Sequence, residues 1–215
     1  MSAAATLEDR VLALERAHYR CPKAIREVDD SMRRARREVE ALGLYSSRWV
    51  WVPEPYYTWP LTKRAQMLRA PETAHLCKSL LLENKKVTDR NHDFWLHPRF
   101  VMVVLQYDAE LSTDLLTKSI RRLRPVEERM DPSDFDWRVA DPEDNDRITG
   151  YQFNSVTPLG LNEDVPIILS SAVADLGYFW MGGGHVHLKL GLSVSDFVDK
   201  VKNVKVMEAS VPRTK

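Results

Sequence analysis

Apolar positions three and four apart organise the first forty residues. Leu7, Val11 and Leu14 recur on one helical face, and Thr6 followed by Asp9 has the spacing of a capping box. Pro22 interrupts this pattern, yet suits the first turn of a new helix. Two helices are therefore expected, over about 6–20 and 22–42, with Gly43 as the stop. Ile25, Val28, Met32, Ala35, Val39 and Leu42 supply the apolar face of the second. Its other side carries Arg33, Arg34, Arg36 and Arg37, which read either as a solvated face or as a patch for phosphates.

From Arg48 the period changes. Trp49-Val50-Trp51-Val52 is a strand signal, and Pro53, Pro55 and Pro60 make the next stretch extended. Lys63 to Leu68 predicts a short helix, Cys77 to Leu82 and Arg99 to Tyr107 two apolar strands, and Ser112 to Leu123 an amphipathic helix with Leu115, Leu116, Ile120 and Leu123 inward. Residues 125–136 read as loop and Trp137-Arg138-Val139 as a short strand. Asp141-Pro142 has the form of a helix start, and that helix ends near Gly150. Strands follow at about 166–170, 177–181 and 186–192, and a last helix opens at Ser193 with Asp196 three residues on. The order of elements indicates an α+β or mixed α/β fold.

Composition narrows the class. The chain has 215 residues, 44% hydrophobic and 29% charged, which suits one domain of moderate size with an appendage. Its 31 basic residues cancel 31 acidic ones, so nucleic acid can be gripped only through a local patch such as Arg33 to Arg37, Lys85-Lys86 or Arg121-Arg122-Arg124. Two cysteines, Cys21 and Cys77, and a start without a signal-like apolar run point to a cytosolic protein. The longest apolar runs, such as Phe100 to Leu105, are too short to span a bilayer.

The candidate chemistry is sparse. His185 and His187 share a strand face but lack further ligands, so no metal is expected. No G-x-S-x-G elbow surrounds Ser79 or Ser155. Gly182-Gly183-Gly184 lies between two strand-like runs and reads as a hairpin, either plain or lining a pocket. Lys78 stands out within Leu76-Cys77-Lys78-Ser79-Leu80-Leu81-Leu82, where alternation puts it on the face of Leu80 and Leu82. Its ammonium must either snorkel to water or meet a carboxylate, a carbonyl or an anionic ligand.

Three segments in order, Cys77-Lys78-Ser79-Leu80-Leu81, Thr149-Gly150-Tyr151 through Val156-Thr157-Pro158-Leu159-Gly160, and Tyr178 to Leu192, resemble the YbaK/prolyl-tRNA synthetase-associated domain family over about residues 45–205. The resemblance implies a mixed β-sheet, partly barrel-like, with surrounding helices. Residues 1–43 are then an added helical extension and 44–215 the domain. It implies hydrolysis of the ester of mischarged aminoacyl-tRNA, Cys- or Ala-tRNA(Pro), in the cytoplasm, with no cofactor and no covalent enzyme intermediate. Lys78, Asn154, Ser155 and Pro158 become the catalytic candidates, and Gly150, Thr157, Gly183 and His185 the substrate-binding ones. The acceptor end of aminoacyl-tRNA is the expected partner, with prolyl-tRNA synthetase or another synthetase as a further one. Where family members commonly carry Gly-Gly, this chain has Asn154-Ser155, which puts a hydroxyl at the pocket mouth in this reading. The alternative is a non-catalytic tRNA-binding or synthetase-docking module on the same fold.

Overall fold

The structure is a computed structural model that describes residues 5–19, 28–88 and 91–213. Two sheets enclose the main core. The larger has β5 (Trp137–Val139), β2 (Cys77–Asn84), β3 (Phe100–Gln106), β6 (Ile167–Ser170) and β9 (Val204–Met207) in that spatial order. β2 is antiparallel to both β5 and β3, while β6 runs parallel to β3 and β9 parallel to β6. The smaller sheet is antiparallel, with β8 (Leu188–Ser193) between β1 (Arg48–Trp51) and β7 (Tyr178–Gly182). A parallel bridge from Leu76 to Trp180 joins the sheets where β2 begins, so they face each other over the core without closing a barrel. A separate ribbon pairs β4 (Ala109–Leu111) with β10 (Ser210–Pro212).

Side chains alternate along a strand, so a strand buried on both faces is apolar throughout. β3 is such a strand. Met102 and Val104 meet Phe179, Met181, Leu190 and Leu192 of the smaller sheet in one cluster. Val101, Val103 and Leu105 meet Leu116 and Ile120 of helix α4 (Thr113–Arg121) in another. Each fully buried aliphatic side chain contributes about 1.5–3 kcal/mol, which makes β3 the centre of the fold.

The helix punctuation expected from sequence is present. α1 (Leu7–His18) has the Thr6–Asp9 capping box, α5 (Pro142–Thr149) the Asp141 cap and a left-handed Gly150, and α7 (Val194–Lys200) the Ser193 cap. α3 (Leu61–Leu68) and α6 (Ser171–Ala174) complete the helices named here. α2 (Asp30–Ala41) starts on an Asp29 cap; the expected earlier part of that helix, with Cys21, Pro22 and Ile25, lies largely outside the described residues. Two expectations fail. Leu7, Val11 and Leu14 are exposed, because α1 meets the body through Leu12, Tyr19 and the Glu15–Arg33 pair instead. Leu123 falls beyond the end of α4 and is not buried.

The arginine face of α2 is not an open patch. Arg33 forks onto Glu15 at 2.9 Å, and Arg36 pairs with Glu40 at 2.7 Å. Arg34 turns inward, donates to the Gly150 carbonyl at 2.5 Å and lies 4.4 Å over the Tyr151 ring. These three side chains brace helices and a loop, which leaves Arg37, with only the Arg33 carbonyl as partner among the described residues, as the exposed cation of this face.

Candidate functional site

A pocket of about 540 Å³ opens where β2, the start of α5 and the loop 150–160 meet. Its floor is Cys77 to Leu81. Val139, Ala140, Pro142, Asn145 and Asp146 also line it, together with Phe153, Asn154 and Val156 of the loop and with Tyr57 and Tyr107.

The loop is shaped by its own backbone. Gly150 and Gly160 hold φ of 67° and 65°, the left-handed region that glycine enters without strain, and Asn154 holds 65°, which asparagine tolerates better than most residues. Between them the Tyr151 hydroxyl donates to the Leu159 carbonyl at 2.7 Å and ties the loop across its base. From outside, the Gly184 amide donates to the Ser155 carbonyl at 3.2 Å and the Tyr57 hydroxyl to the Asn154 carbonyl at 2.9 Å. Among the described residues, nothing accepts from the amides of Asn154 and Val156, and both residues line the pocket.

Lys78 and Asp146 are the only cationic and carboxylate side chains among the lining residues. Lys78 is half-buried and has no hydrogen bond or ion pair among the described residues; its Nζ lies 6.0 Å from the Tyr107 ring centre. Burial, then the nearby Arg213 guanidinium, lower its pKa from the ordinary lysine range, while Glu110 opposes them. The Ser79 hydroxyl beside it is buried without a partner, and a buried polar group left unpaired is costly unless a ligand or water completes it. Cys77 carries a free, buried thiol whose pKa burial pushes well up, which favours the protonated form.

Behind Tyr57 lies a second lysine that sequence reasoning missed. Lys189 of β8 is 5% exposed and donates to the Tyr57 hydroxyl at 2.6 Å and to the Val186 carbonyl at 2.9 Å. No carboxylate pairs with it among the described residues. Burial first, and the Arg64 charge second, lower its pKa to about 7. An unbroken run of hydrogen bonds thus leads from Lys189 through Tyr57 to the backbone of Asn154.

Of the residues singled out in the sequence, Lys78 and Asn154 meet at this pocket. Ser155 stands one residue back: its hydroxyl turns away to donate to the Gln152 carbonyl at 2.6 Å, so it does not occupy the pocket mouth. Thr157 and Pro158 are buried beneath the loop, the former with an unpartnered hydroxyl, and Gly150 lies under Arg34. Gly183 packs against Trp49 and Leu188. His185 stacks on Trp51 at 4.9 Å, outside the pocket lining. Tyr57, Tyr107, Ser79 and Asp146 carry no sequence signal of their own; only the fold brings them together. Among the described residues no three His, Cys, Asp or Glu side chains gather as metal ligands, and no helix is long and apolar enough to cross a membrane.

The fold and the sequence agree on relatives. The structure matches a computationally designed epitope scaffold with a TM-score of 0.64 at 17% identity, covering 86% of this chain and 100% of the other. A proposed trans-editing enzyme for prolyl-tRNA synthetase matches with 0.61 at 19% identity, covering 86% and 99%, and a hypothetical protein, APE2540, with 0.60 at 18% identity, covering 83% and 99%. At these identities the likeness is one of fold. No curated protein matches the sequence. The profile of the aminoacyl-tRNA editing domain matches residues 61–200, which span the pocket floor, the loop and both closing strands, and the chain belongs to that family.

Proposed function

We propose that this pocket hydrolyses the ester of a mischarged aminoacyl-tRNA, with tRNA(Pro) carrying Ala or Cys as the substrate. The single observation that carries the reading is the joint presence, in one pocket, of an unpartnered lysine and a left-handed loop with free backbone amides. In this reading Lys78 holds a phosphate or ribose oxygen of the acceptor end, and the amides of Asn154 and Val156 receive the oxyanion. Asp146 at the rim attracts the α-ammonium of the amino acid. Water adds to the ester carbonyl carbon, the C–O bond to the ribose breaks, and the ribose oxygen leaves with a proton, giving free amino acid and tRNA. An activated ester needs no enzyme nucleophile when geometry and oxyanion donors are supplied. Selection rests on pocket size, which discriminates by about 1–3 kcal/mol per methylene and suits a second check after a synthetase.

In the same reading residues 1–43 are an extension to a domain of 44–215, and its contribution is to steady the loop through Arg34. Docking on a synthetase is the alternative use, favoured by the Asn154-Ser155 departure from the family's glycines. The test is direct. The protein is incubated with Ala-tRNA(Pro), Cys-tRNA(Pro) and Pro-tRNA(Pro), beside Lys78→Ala. Release of Ala or Cys that the variant loses supports the enzyme. No release above background across a panel of charged tRNAs, with retained binding to a synthetase that is lost on deleting 1–43, would establish the docking module.

A further inference from the structure

A second hollow, of about 680 Å³, lies between α4, the turns at 129–136 and β5. Five cations border it, Lys118, Arg121, Arg122, Arg129 and Arg138, against two carboxylates, Asp114 and Asp136. In a chain whose total charge is zero, this is a local positive field. Arg33 and Arg36 of α2 are held by carboxylates, and most of the cations here are held otherwise. Arg121 and Arg129 each donate through Nε to a backbone carbonyl, of Met130 at 2.5 Å and of Arg124 at 3.2 Å. Their remaining guanidinium nitrogens form no ion pair among the described residues, although the Asp131 charge acts on Arg121 from nearby. Arg122 and Arg138 pair with Glu208 at 3.3 Å and Asp136 at 2.9 Å, exposed contacts that exchange readily for a phosphate. Lys118 is exposed and has no partner among the described residues.

The hollow adjoins the candidate pocket along one strand. Trp137 and Arg138 border the first, and the next two residues, Val139 and Ala140, border the second. β5 is an outer strand of its sheet, so the two hollows share one edge strand and the residues they line it with are only a few steps of about 3.3 Å apart.

We propose that this hollow seats the phosphates of the acceptor stem, the duplex whose single-stranded 3′ end reaches over β5 to Lys78. The proposal rests on aminoacyl-tRNA being the substrate. A duplex is recognised chiefly through its backbone and shape, and contacts of that kind position without reading sequence. Such a seat supplies a grip on RNA that the chain's net charge of zero does not, and on α2 Arg33 and Arg36 are already paired with Glu15 and Glu40.

The test uses the exposed side chains Lys118→Ala, Arg122→Ala and Arg138→Ala in one triple variant, with Arg33→Ala/Arg36→Ala as the control. Three probes are used: an uncharged RNA minihelix ending in CCA, the same minihelix charged with alanine, and a short alanyl-CCA fragment without a stem. The triple variant binds the uncharged minihelix about tenfold or more weakly, and its slope of log affinity against log salt is shallower by about 2, since each lost phosphate contact removes about 0.7–0.9. Its hydrolysis of the charged minihelix falls in proportion, while that of the fragment is unchanged. Wild-type affinity and slope in the triple variant would overturn the proposal, as would an equal loss on the fragment or an equal loss in the control. Should the wild type cleave neither substrate while the triple variant still loses affinity and slope, the hydrolytic reading falls and the RNA seat stands.

Discussion

Two lysines on different strands stand near the same site, Lys78 lining it and Lys189 behind Tyr57, and their surroundings separate them. Lys78 on the pocket floor is half-buried with no partner of its own. Lys189 in the wall behind is almost fully enclosed, with its ammonium given to the Tyr57 hydroxyl and the Val186 carbonyl. A buried group with its bonds already made can hold neighbours in place, whereas an unpaired cation at a cavity is available to an anion. The lesson is that residue type and proximity do not define a role; what remains unsatisfied after folding does.

The sharpest way to break this distinction is Lys78→Met. Hydrolysis falls about hundredfold, the loss expected when the acceptor end is no longer held in place, while thermal stability is little changed. Lys78→Arg restores part of the RNA affinity and less of the turnover. A Lys78→Met variant with wild-type kcat/KM would leave the pocket without its anion-binding group.

Lys189→Met acts on stability and its pH dependence. In the unfolded chain this lysine titrates near the ordinary value of about 10.4, and in the folded protein near about 7. Between those values the unfolded chain binds the extra proton, so Lys189 makes stability rise with pH across that window, by up to about 1.4 kcal/mol per unit, and its cost is fully present below it. Denaturation curves of wild type and variant from pH 7 to 10 read the effect: the variant gains on the wild type as pH falls. A difference that stays flat would show that Lys189 is charged in the native state throughout.

Tyr57→Phe cuts the link without removing either lysine. Lys189 loses one acceptor and the Asn154 carbonyl its donor, at about 1–3 kcal/mol of stability. Hydrolysis drops about tenfold through the displaced loop, an effect of a positioning group rather than of the chemistry. The smallest change is expected for Asn154→Gly, because the backbone there already has a glycine-like φ of 65°. Stability moves by less than about 1 kcal/mol and turnover by about threefold or less. A large loss in this variant would assign the Asn154 side chain a direct part in binding substrate.

Much of the site's frame was legible in the chain, because its signals are local. A lysine set into Leu76 to Leu82 is conspicuous on any reading, and glycines and asparagine at 150, 154 and 160 mark a loop that needs left-handed backbone. Caps at Thr6, Asp141 and Ser193 were visible for the same reason. Lys189 was not. Within Leu188-Lys189-Leu190, alternation assigns it to a solvated face, but Tyr56 and Tyr57, the latter 132 residues away, lie against it. The arginines of α2 failed in the opposite sense. Their periodicity is that of a surface, but Arg33 is paired with Glu15 on another helix and Arg34 turns inward to the carbonyl of Gly150.

Gly182 carries a consequence for how such a site changes over time. Any Cβ at that position would collide with the Val156 carbonyl and crowd that of Ser155 at 3.1 Å, so strand and loop meet main chain to main chain. A wall assembled from peptide groups keeps its contour while the letters written on it vary. That is why Asn154-Ser155 can stand in this turn with Ser155 folded back, leaving drift free to retune the rim while position 182 stays barred to every side chain.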